Sequence, residues 1–510
     1  MKKGSLLLCP LLSAAALHAQ SPSDALQFSW YAPGGTARQQ AIGGAMGSLG
    51  GDYSATFVNP AGLGFYRTSD VLLSGAYHWS DTRATYNDRT EKSKDSRFNV
   101  NALGLVLGGS HQGRGMALSL GFSTQADFRS ELVYRGRNQV SSYAQRFAEE
   151  LARNGVRDST AAYLYPFGSS LALNTYWLDP VKNGSGQVTG FTSTAPVATG
   201  LLQEQLVSNR GGIYELAIGG GGQVSKRWFF GGTVGIPILN YSRHSTFTEA
   251  DATNDTSNRF DYASFEENLS TKGTGLNLRL GAIYKPAEFW RLGLSVQTPT
   301  LYSLTDVFDY VATVNTESYQ GELFDASKDY NDGNANQFKY RLITPWKVTG
   351  SLSWVLREIE DVTKQRGFLT ADVEYVHYRG MRYLRDADEE TNDNGNDAYF
   401  NAVNNTIKDI YKGAFNVRVG GELKFSPIMV RAGAAYYGNP YKEVNGGSGN
   451  KLNLSGGLGY RNKGYFFDLT YVHSLQRDIH APYRLSSADY YVAETRRTQG
   501  NVTLTFGMKF

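Results

Sequence analysis

A two-residue alternation, repeated along most of the chain, is the feature that most constrains its fold. In residues 501–510, Val502, Leu504, Phe506, Met508 and Phe510 share one face, while Asn501, Thr503, Thr505 and Lys509 share the other. Successive side chains of a strand point to opposite faces of a sheet, so this pattern predicts a strand with one apolar and one polar side. The same pattern recurs with Phe415, Val417, Val419, Leu423 and Phe425 set against Asn416, Arg418, Glu422 and Lys424. It recurs again with Leu276, Leu278 and Leu280 against Asn277 and Arg279, and with Trp290, Leu292, Leu294 and Val296 against Arg291, Ser295 and Gln297. A soluble sandwich alternates too, so no single strand decides the fold class.

Repetition and parity decide it. About 14 such segments can be counted, an even number as expected of a bacterial transmembrane barrel. Their connections alternate short and long. Short ones include His111-Gln112-Gly113, Ser225-Lys226-Arg227, Ser426-Pro427 and Asn462-Lys463-Gly464, while long ones follow the odd-numbered strands, the largest being residues 131–211. Short periplasmic turns and long extracellular loops give that parity, and they place both chain ends on the periplasmic side. The expected fold class is therefore all-β: a transmembrane antiparallel β-barrel over residues 68–510. Composition agrees, with 57 glycines, 33 tyrosines, 26 phenylalanines and only 14 prolines. The mean hydropathy is -0.38. No apolar run of transmembrane-helix length follows the N-terminal segment.

Residues 1–19 read as a cleaved signal peptide: Lys2 and Lys3, an apolar stretch from Leu6 to Leu17, then small residues. Cys9, the only cysteine, lies inside it, so the mature chain is expected to have no disulfide and no thiolate-bound metal. Removing Lys2 and Lys3 lowers the formal charge from +3 to +1, and nothing points to nucleic acid.

Residues 34–66 differ from the rest. They contain nine glycines, have no long apolar run, and end near Asn59-Pro60-Ala61-Gly62. Glycine permits close backbone approach but builds no core, so this segment needs walls from elsewhere. We read residues 20–67 as a plug, or hatch, inside the lumen of the barrel that follows. A small-residue plug ending in Asn59-Pro60-Ala61, directly before strands running to a terminal Phe, resembles the FadL/TodX family of outer-membrane transporters for hydrophobic compounds. That resemblance implies a Gram-negative outer-membrane location and passive uptake of hydrophobic or amphipathic small molecules such as fatty acids, aromatic hydrocarbons or haem-like ligands. It also implies ligand bound between plug and barrel wall, with sideways exit next to the third strand. The unbroken alternation Met116, Leu118, Leu120, Phe122 neither shows nor denies a kink there.

Two groups of residues are candidates for ligand contact. The lumen-facing charges Arg279, Arg291, Glu374, Arg418, Glu422 and Arg431 mix both signs; they suit head-group recognition, and equally a barrel interior that neutralises itself. In the longest loop, Tyr143, Phe147 and Leu151 recur at helical spacing, followed by Tyr163, Tyr165, Phe167 and Trp177. Such aromatics form either an extracellular capture groove or packing that holds the loop on the rim. No cofactor is expected. The acidic stretch from Glu390 places Gly395 as an EF-hand would but has Asn401 at the twelfth position, and the seven histidines show no paired spacing. No GxSxG elbow orders a catalytic triad, so no catalytic residues are assigned and the protein is expected not to be an enzyme. Expected partners are outer-membrane lipid and lipopolysaccharide, the ligand, and the barrel-assembly machinery through the strand ending at Phe510. A non-transporting barrel, as a surface adhesin or protein-export accessory, is the alternative.

Overall fold

The computed structural model describes residues 21–30, 34–253, 255–356, 366–386, 394–442 and 449–510; the signal segment with Cys9 and the start of the EF-hand-like stretch lie outside them. Among the described residues the chain forms one closed antiparallel barrel of 14 strands. They are β1 (Asp70–Tyr86), β2 (Arg89–His111), β3 (Arg114–Asp127, continued by Ser130–Asn138), β4 (Leu201–Gln223), β5 (Trp228–Asp251), β6 (Tyr262–Ala287) and β7 (Trp290–Gln297, continued by Leu301–Asn315). The second half comprises β8 (Asn336–Ile343, continued by Lys347–Leu356), β9 (Gly367–His377, continued by Arg382–Arg385), β10 (Gly413–Phe425), β11 (Ile428–Tyr437), β12 (Lys451–Asn462), β13 (Tyr465–His480) and β14 (Ala493–Lys509). The sheet closes where β1 pairs with β14, from Asp70 opposite Lys509 to Thr85 opposite Glu494.

The outer face is a band of exposed apolar side chains, including Leu120, Ile218, Leu280, Leu294, Val373, Leu454 and Leu504. Aromatic rings border it. Trp228 packs on Tyr284 (centroids 4.5 Å apart) near the short turns, and Trp79 stacks on Tyr471 (5.8 Å) towards the other end. Such paired girdles mark the two membrane interfaces of a transmembrane barrel. Two prolines interrupt adjacent strands at Pro299 and Pro345, where the missing N–H would break the ladder. Threonines patch both gaps: Thr300 N–H donates to the Thr344 hydroxyl at 2.8 Å, and Thr298 N–H reaches the Leu278 carbonyl at 3.0 Å.

The parity of the connections holds, with one difference in kind. The first long connection is not a loop: β1 and β2 stay paired up to Tyr86 opposite Arg89 and turn through Asn87 and Asp88, both at positive φ. The polar sequence hides these strand ends because they rise beyond the apolar band, where neither face meets hydrocarbon. For the same reason β3 runs on to Asn138 and β4 starts at Leu201, so the largest excursion spans residues 139–200 rather than 131–211. It folds into three short helices, α4 (Gln145–Arg153), α5 (Ala161–Leu164) and α6 (Ser169–Asn174), and a hairpin of Leu178–Lys182 with Val188–Ser193.

Inside the barrel lies the N-terminal segment, with α1 (Pro22–Gln27), α2 (Ala37–Ala41), α3 (Ala55–Val58) and a 3-10 turn over Pro60–Phe65. None of these helices is long enough to stand alone in water. The wall of the barrel holds them.

Because the outer face meets hydrocarbon and the inner face meets polar groups, a charge should be costly on one and tolerated on the other. Leu278→Arg, on the exposed apolar band, is expected to cost about 2–4 kcal/mol in refolding into lipid vesicles. Gln499→Arg, lining the lumenal cavity, should cost much less. Equal costs would contradict the register.

Candidate functional site

The N-terminal segment is fixed where glycines of the wall leave room for it. A Cβ on Gly281 would strike Asn59 Oδ1, one on Gly231 would strike the Pro60 carbonyl, and one on Gly433 would strike the Gly43 amide. Wall and plug therefore touch backbone to backbone, which side chains at these positions would forbid. Asn59 is fully buried and bridges three elements. Its Oδ1 caps the 3-10 turn by accepting from Ala61 N–H (3.1 Å), and its Nδ2 donates to Gly47 O (2.6 Å) and to the carbonyls of Ala282 on β6 and Leu294 on β7 (3.4 Å each). Pro60 begins the turn, where its missing N–H costs nothing. Ala61 is buried against Phe229 and Ile283 of the wall, and Gly62 against Leu49, Gly50 and Ala55 of the plug itself. Further up, Gly47 N–H donates to Asp372 (3.0 Å), Ala37 N–H to Thr505 (2.8 Å), and the Tyr53 hydroxyl to the carbonyls of Leu103 and Phe122 (3.2 Å each).

The lumenal charges sit on the inner face and are used in pairs. Arg279 grips Glu215 with two bonds, of 2.5 and 2.8 Å. Arg418 holds Glu374 at 2.6 Å. Arg431 lies between Glu422 and Asp468, 2.6 Å from each. Arg291 lies over the Phe65 ring of the plug, 4.6 Å from its centroid. Arg38 on α2, which sequence reasoning did not single out, reaches out of the plug to Glu422 at 3.2 Å. Buried carboxylates left unpaired would be strongly destabilising, so the pairs among wall residues hold the strands together and Arg38 with Glu422 ties the plug to the wall.

Above the plug remains a cavity of about 860 Å³. Its lining divides by chemistry. Leu26, Trp30, Phe128, Tyr241 and Ile410 are apolar, Asp24 and Arg243 beside them are charged, and Asn453, Ser474, Gln476, Gln499, Lys451 and Arg497 make a polar group on the adjacent strands β12 to β14. The helix α1 closes part of it: Ser21 and Asp24 form a capping box, and Asp24 pairs with Arg243 at 3.3 Å. Tyr383 and Tyr411 donate to the carbonyls of Ser21 (2.8 Å) and Pro22 (2.9 Å).

The loop aromatics, open in sequence to a capture groove or to rim packing, are mostly interior. Tyr143, Phe147, Leu151 and Trp177 are each no more than 2% exposed. They pack with Phe247 and Phe265 of the barrel wall; Tyr143 stacks on Phe247 at 4.5 Å. Their helical spacing makes a stripe, and the barrel mouth covers it. Glu249 of β5 fastens this cap, accepting from Ser142 Oγ (2.5 Å), Tyr143 N–H, Trp177 Nε1 and Gln203 Nε2 (3.0 Å each). On its far side Glu149 of α4 accepts from Ser486 and Ser487; against the opposing effect of burial, these bonds hold its carboxyl below the ordinary range. Tyr165 is half-buried against the same core, and Phe167 packs on Phe308 at 5.3 Å. Tyr163 alone of the set is largely exposed, at 60%.

The third strand is broken beside this cavity. It pairs with β2 from Arg114 opposite His111 only as far as Ser123 opposite Ala102. Beyond a bulge at Gln125 and the gap at Phe128-Arg129, Ser130–Asn138 pairs with β4 and stays against β2 through side chains, as where Ser93 Oγ donates to the Glu131 carbonyl (2.7 Å). Side chains bridge the open seam. Thr124 Oγ1 donates to the Val100 carbonyl (2.8 Å), Asn99 to Asp127 (3.0 Å), Arg129 pairs with Asp95 (2.9 Å), and Arg97 pairs with Asp127. A second pocket of about 150 Å³ lies outside the wall, against Arg210 and Tyr214. Arg97, Ala126, Asp127 and Arg129 line both it and the inner cavity. Nothing in the spacing of β3 announces this, because Gln125 and Phe128 look like ordinary strand residues.

No family model matches the chain, and no curated protein matches it in sequence. Solved structures do match in fold. A FadL homologue of Pseudomonas aeruginosa is 14% identical, with a TM-score of 0.55 over 94% of this chain and 99% of that one. The toluene transporter TodX of Pseudomonas putida is 13% identical, with a TM-score of 0.51 over 94% and 99%. The plugged 14-strand barrel is thus the fold of the FadL and TodX transporters.

If backbone contact seats the plug, a side chain at the contact should unseat it. Gly281→Val and Gly433→Val are expected to raise ion conductance in planar bilayers well above that of the unaltered protein, as should deletion of residues 24–53. Gly350→Val, where an added Cβ meets nothing within 4 Å, should leave it unchanged. Closed pores in both plug-contact variants would mean that something else blocks the lumen.

Proposed function

We propose that this protein is an outer-membrane channel for the passive uptake of hydrophobic or amphipathic small molecules, held in the cavity between plug and wall and released sideways through the seam between β2 and β3. The observation that carries this reading is the shared lining of the inner cavity and the outer pocket: Arg97, Ala126, Asp127 and Arg129 alone have one side to each. Lumen and bilayer are there separated by side chains instead of by a hydrogen-bonded sheet. The likeness in fold to a FadL homologue and to the toluene transporter TodX supports it. The mixed lining suits an amphipathic ligand, whose apolar part lies on Trp30, Leu26 and Phe128 and whose polar end faces Asn453, Gln476 and Arg497. In this reading residues 1–19 direct export and are removed, no reaction is catalysed, and the buried aromatics of the cap seal the mouth while Tyr163 and Tyr165 meet ligand from outside.

The test is release. Asp95→Ala/Asp127→Ala removes the bars across the seam and is expected to speed, several-fold, the transfer of a fluorescent fatty acid from reconstituted barrel to surrounding lipid, with ion conductance unchanged. Mass spectrometry of the purified protein should find a bound amphipath. If no apolar or amphipathic probe enters the cavity, the barrel is a non-transporting one, as an adhesin would be.

A further inference from the structure

We propose that the outer face of β13, β14, β1 and β2 carries a docking site for the phosphate groups of an outer-leaflet glycolipid. Strand register builds it. Arg477 stands opposite Arg496, Arg496 opposite Arg83, and Arg83 opposite Lys92, so four cations on four adjacent strands form one row. All four are exposed on the face that carries Tyr77, Trp79 and Tyr471. Lys94, also exposed, adds a fifth in the next row, opposite Asp81.

Side chains directly opposite one another in a sheet are about 5 Å apart at Cβ, and like charges so placed destabilise the pairing. The protein supplies little to offset them. Asp81 lies 3.7 Å from Arg83 and Glu494 occupies the next row, opposite Thr85, so five cations share two carboxylates. Another cation of the same rim is treated differently: Arg135 has Glu91 at 2.7 Å and Glu204 at 3.7 Å. An anion from outside the chain would offset the repulsion within the row.

Its height says which anion. Arg83 stands two outward positions beyond Trp79, whose ring stacks on Tyr471 in the aromatic belt, on the side of the long connections. Aromatic belts sit at head-group level, so the cations face the charged layer just above the acyl chains. On the proposed outer-membrane channel, on which this inference rests, with the long connections outside the cell, that layer is the outer leaflet. Three inter-strand steps make the row about 14 Å long, enough to meet more than one phosphate of a single head group. Arginine suits the task, since its planar fork binds phosphate oxygens in pairs. The row ends on β2, beside the seam, so a docked glycolipid would flank the proposed exit.

The experiment compares bisphosphorylated lipid A with its dephosphorylated form, in detergent micelles, by native mass spectrometry of the whole barrel. Binding of the phosphorylated form is expected to be much the stronger, and Arg83→Gln/Arg496→Gln should weaken it roughly 30-fold. Arg477→Gln/Lys92→Gln, an independent pair, should do the same, with barrel folding checked by heat-modifiable mobility. Lys272→Gln, an exposed cation on β6, should change nothing. Inorganic phosphate at equal concentration should not displace the lipid. Equal binding of both lipid forms, unchanged binding in the two paired variants, or displacement by phosphate would each overturn the proposal. Uptake of a fatty-acid probe into the lumen, read in the same samples, reports separately on the transport reading.

Discussion

Closure of the sheet is the constraint on which everything else depends. In hydrocarbon every backbone N–H and C=O must find a partner within the protein, and a barrel achieves this only if its first and last strands meet. Here they do, over sixteen consecutive residues of β1 from Asp70 to Thr85. The seam beside β3 is notable against that rule. Where the β2 ladder stops at Ala102, the Thr124 hydroxyl satisfies the Val100 carbonyl, and ion pairs close what backbone leaves open. Side-chain bars cost little to move compared with a strand. The proposed sideways release uses this part of the wall for that reason.

The interior follows from the same closure. A 14-strand barrel is too wide for its own side chains to fill, and an empty one would leak water and ions. The plug fills the lower half through glycine contacts and through buried ion pairs such as Arg38 with Glu422. These pairs add little net stability, but each demands its partner, which defines where the plug sits. The upper half is closed by aromatic packing, from the Phe28 and Leu26 cluster beneath to the Tyr143 and Trp177 cluster in the cap. Beside the lower cluster remains the cavity, lined by Leu26, Phe128 and Tyr241, by Gln39, Gln40 and Gly43 of the plug, and by polar residues of β12 to β14.

The barrel and its neighbours in the bilayer are coupled through the rim. Strand register that places Arg477, Arg496, Arg83 and Lys92 abreast makes the fold's own pairing work against itself unless something anionic lies alongside. The apolar band below and the cationic row above divide the outer surface as the leaflet is divided. A lipid that satisfied both would hold β1 and β2 together at the point where β2 loses its partner on the other side.

Much of this was legible in the sequence, and the reason is periodicity. Alternation in segments such as Val502 to Phe510 states which face meets lipid, and turn parity states which end is which; both are local properties that survive without knowledge of contacts. Asn59-Pro60, with its cap and its fixed φ, likewise announces a turn wherever it is placed. What only the tertiary structure decided are relations between distant residues. The strand ends of β1 and β2 carry no apolar face because they stand above the hydrocarbon, so periodicity could not mark them. Tyr143, Phe147 and Leu151 form a stripe in either reading, and only the arrival of Phe247 and Phe265 makes it a core. The Arg97 to Asp127 bar and the row of cations depend on which residue stands opposite which across separate strands. Register is set by closure of the whole barrel, and no single stretch of sequence contains it.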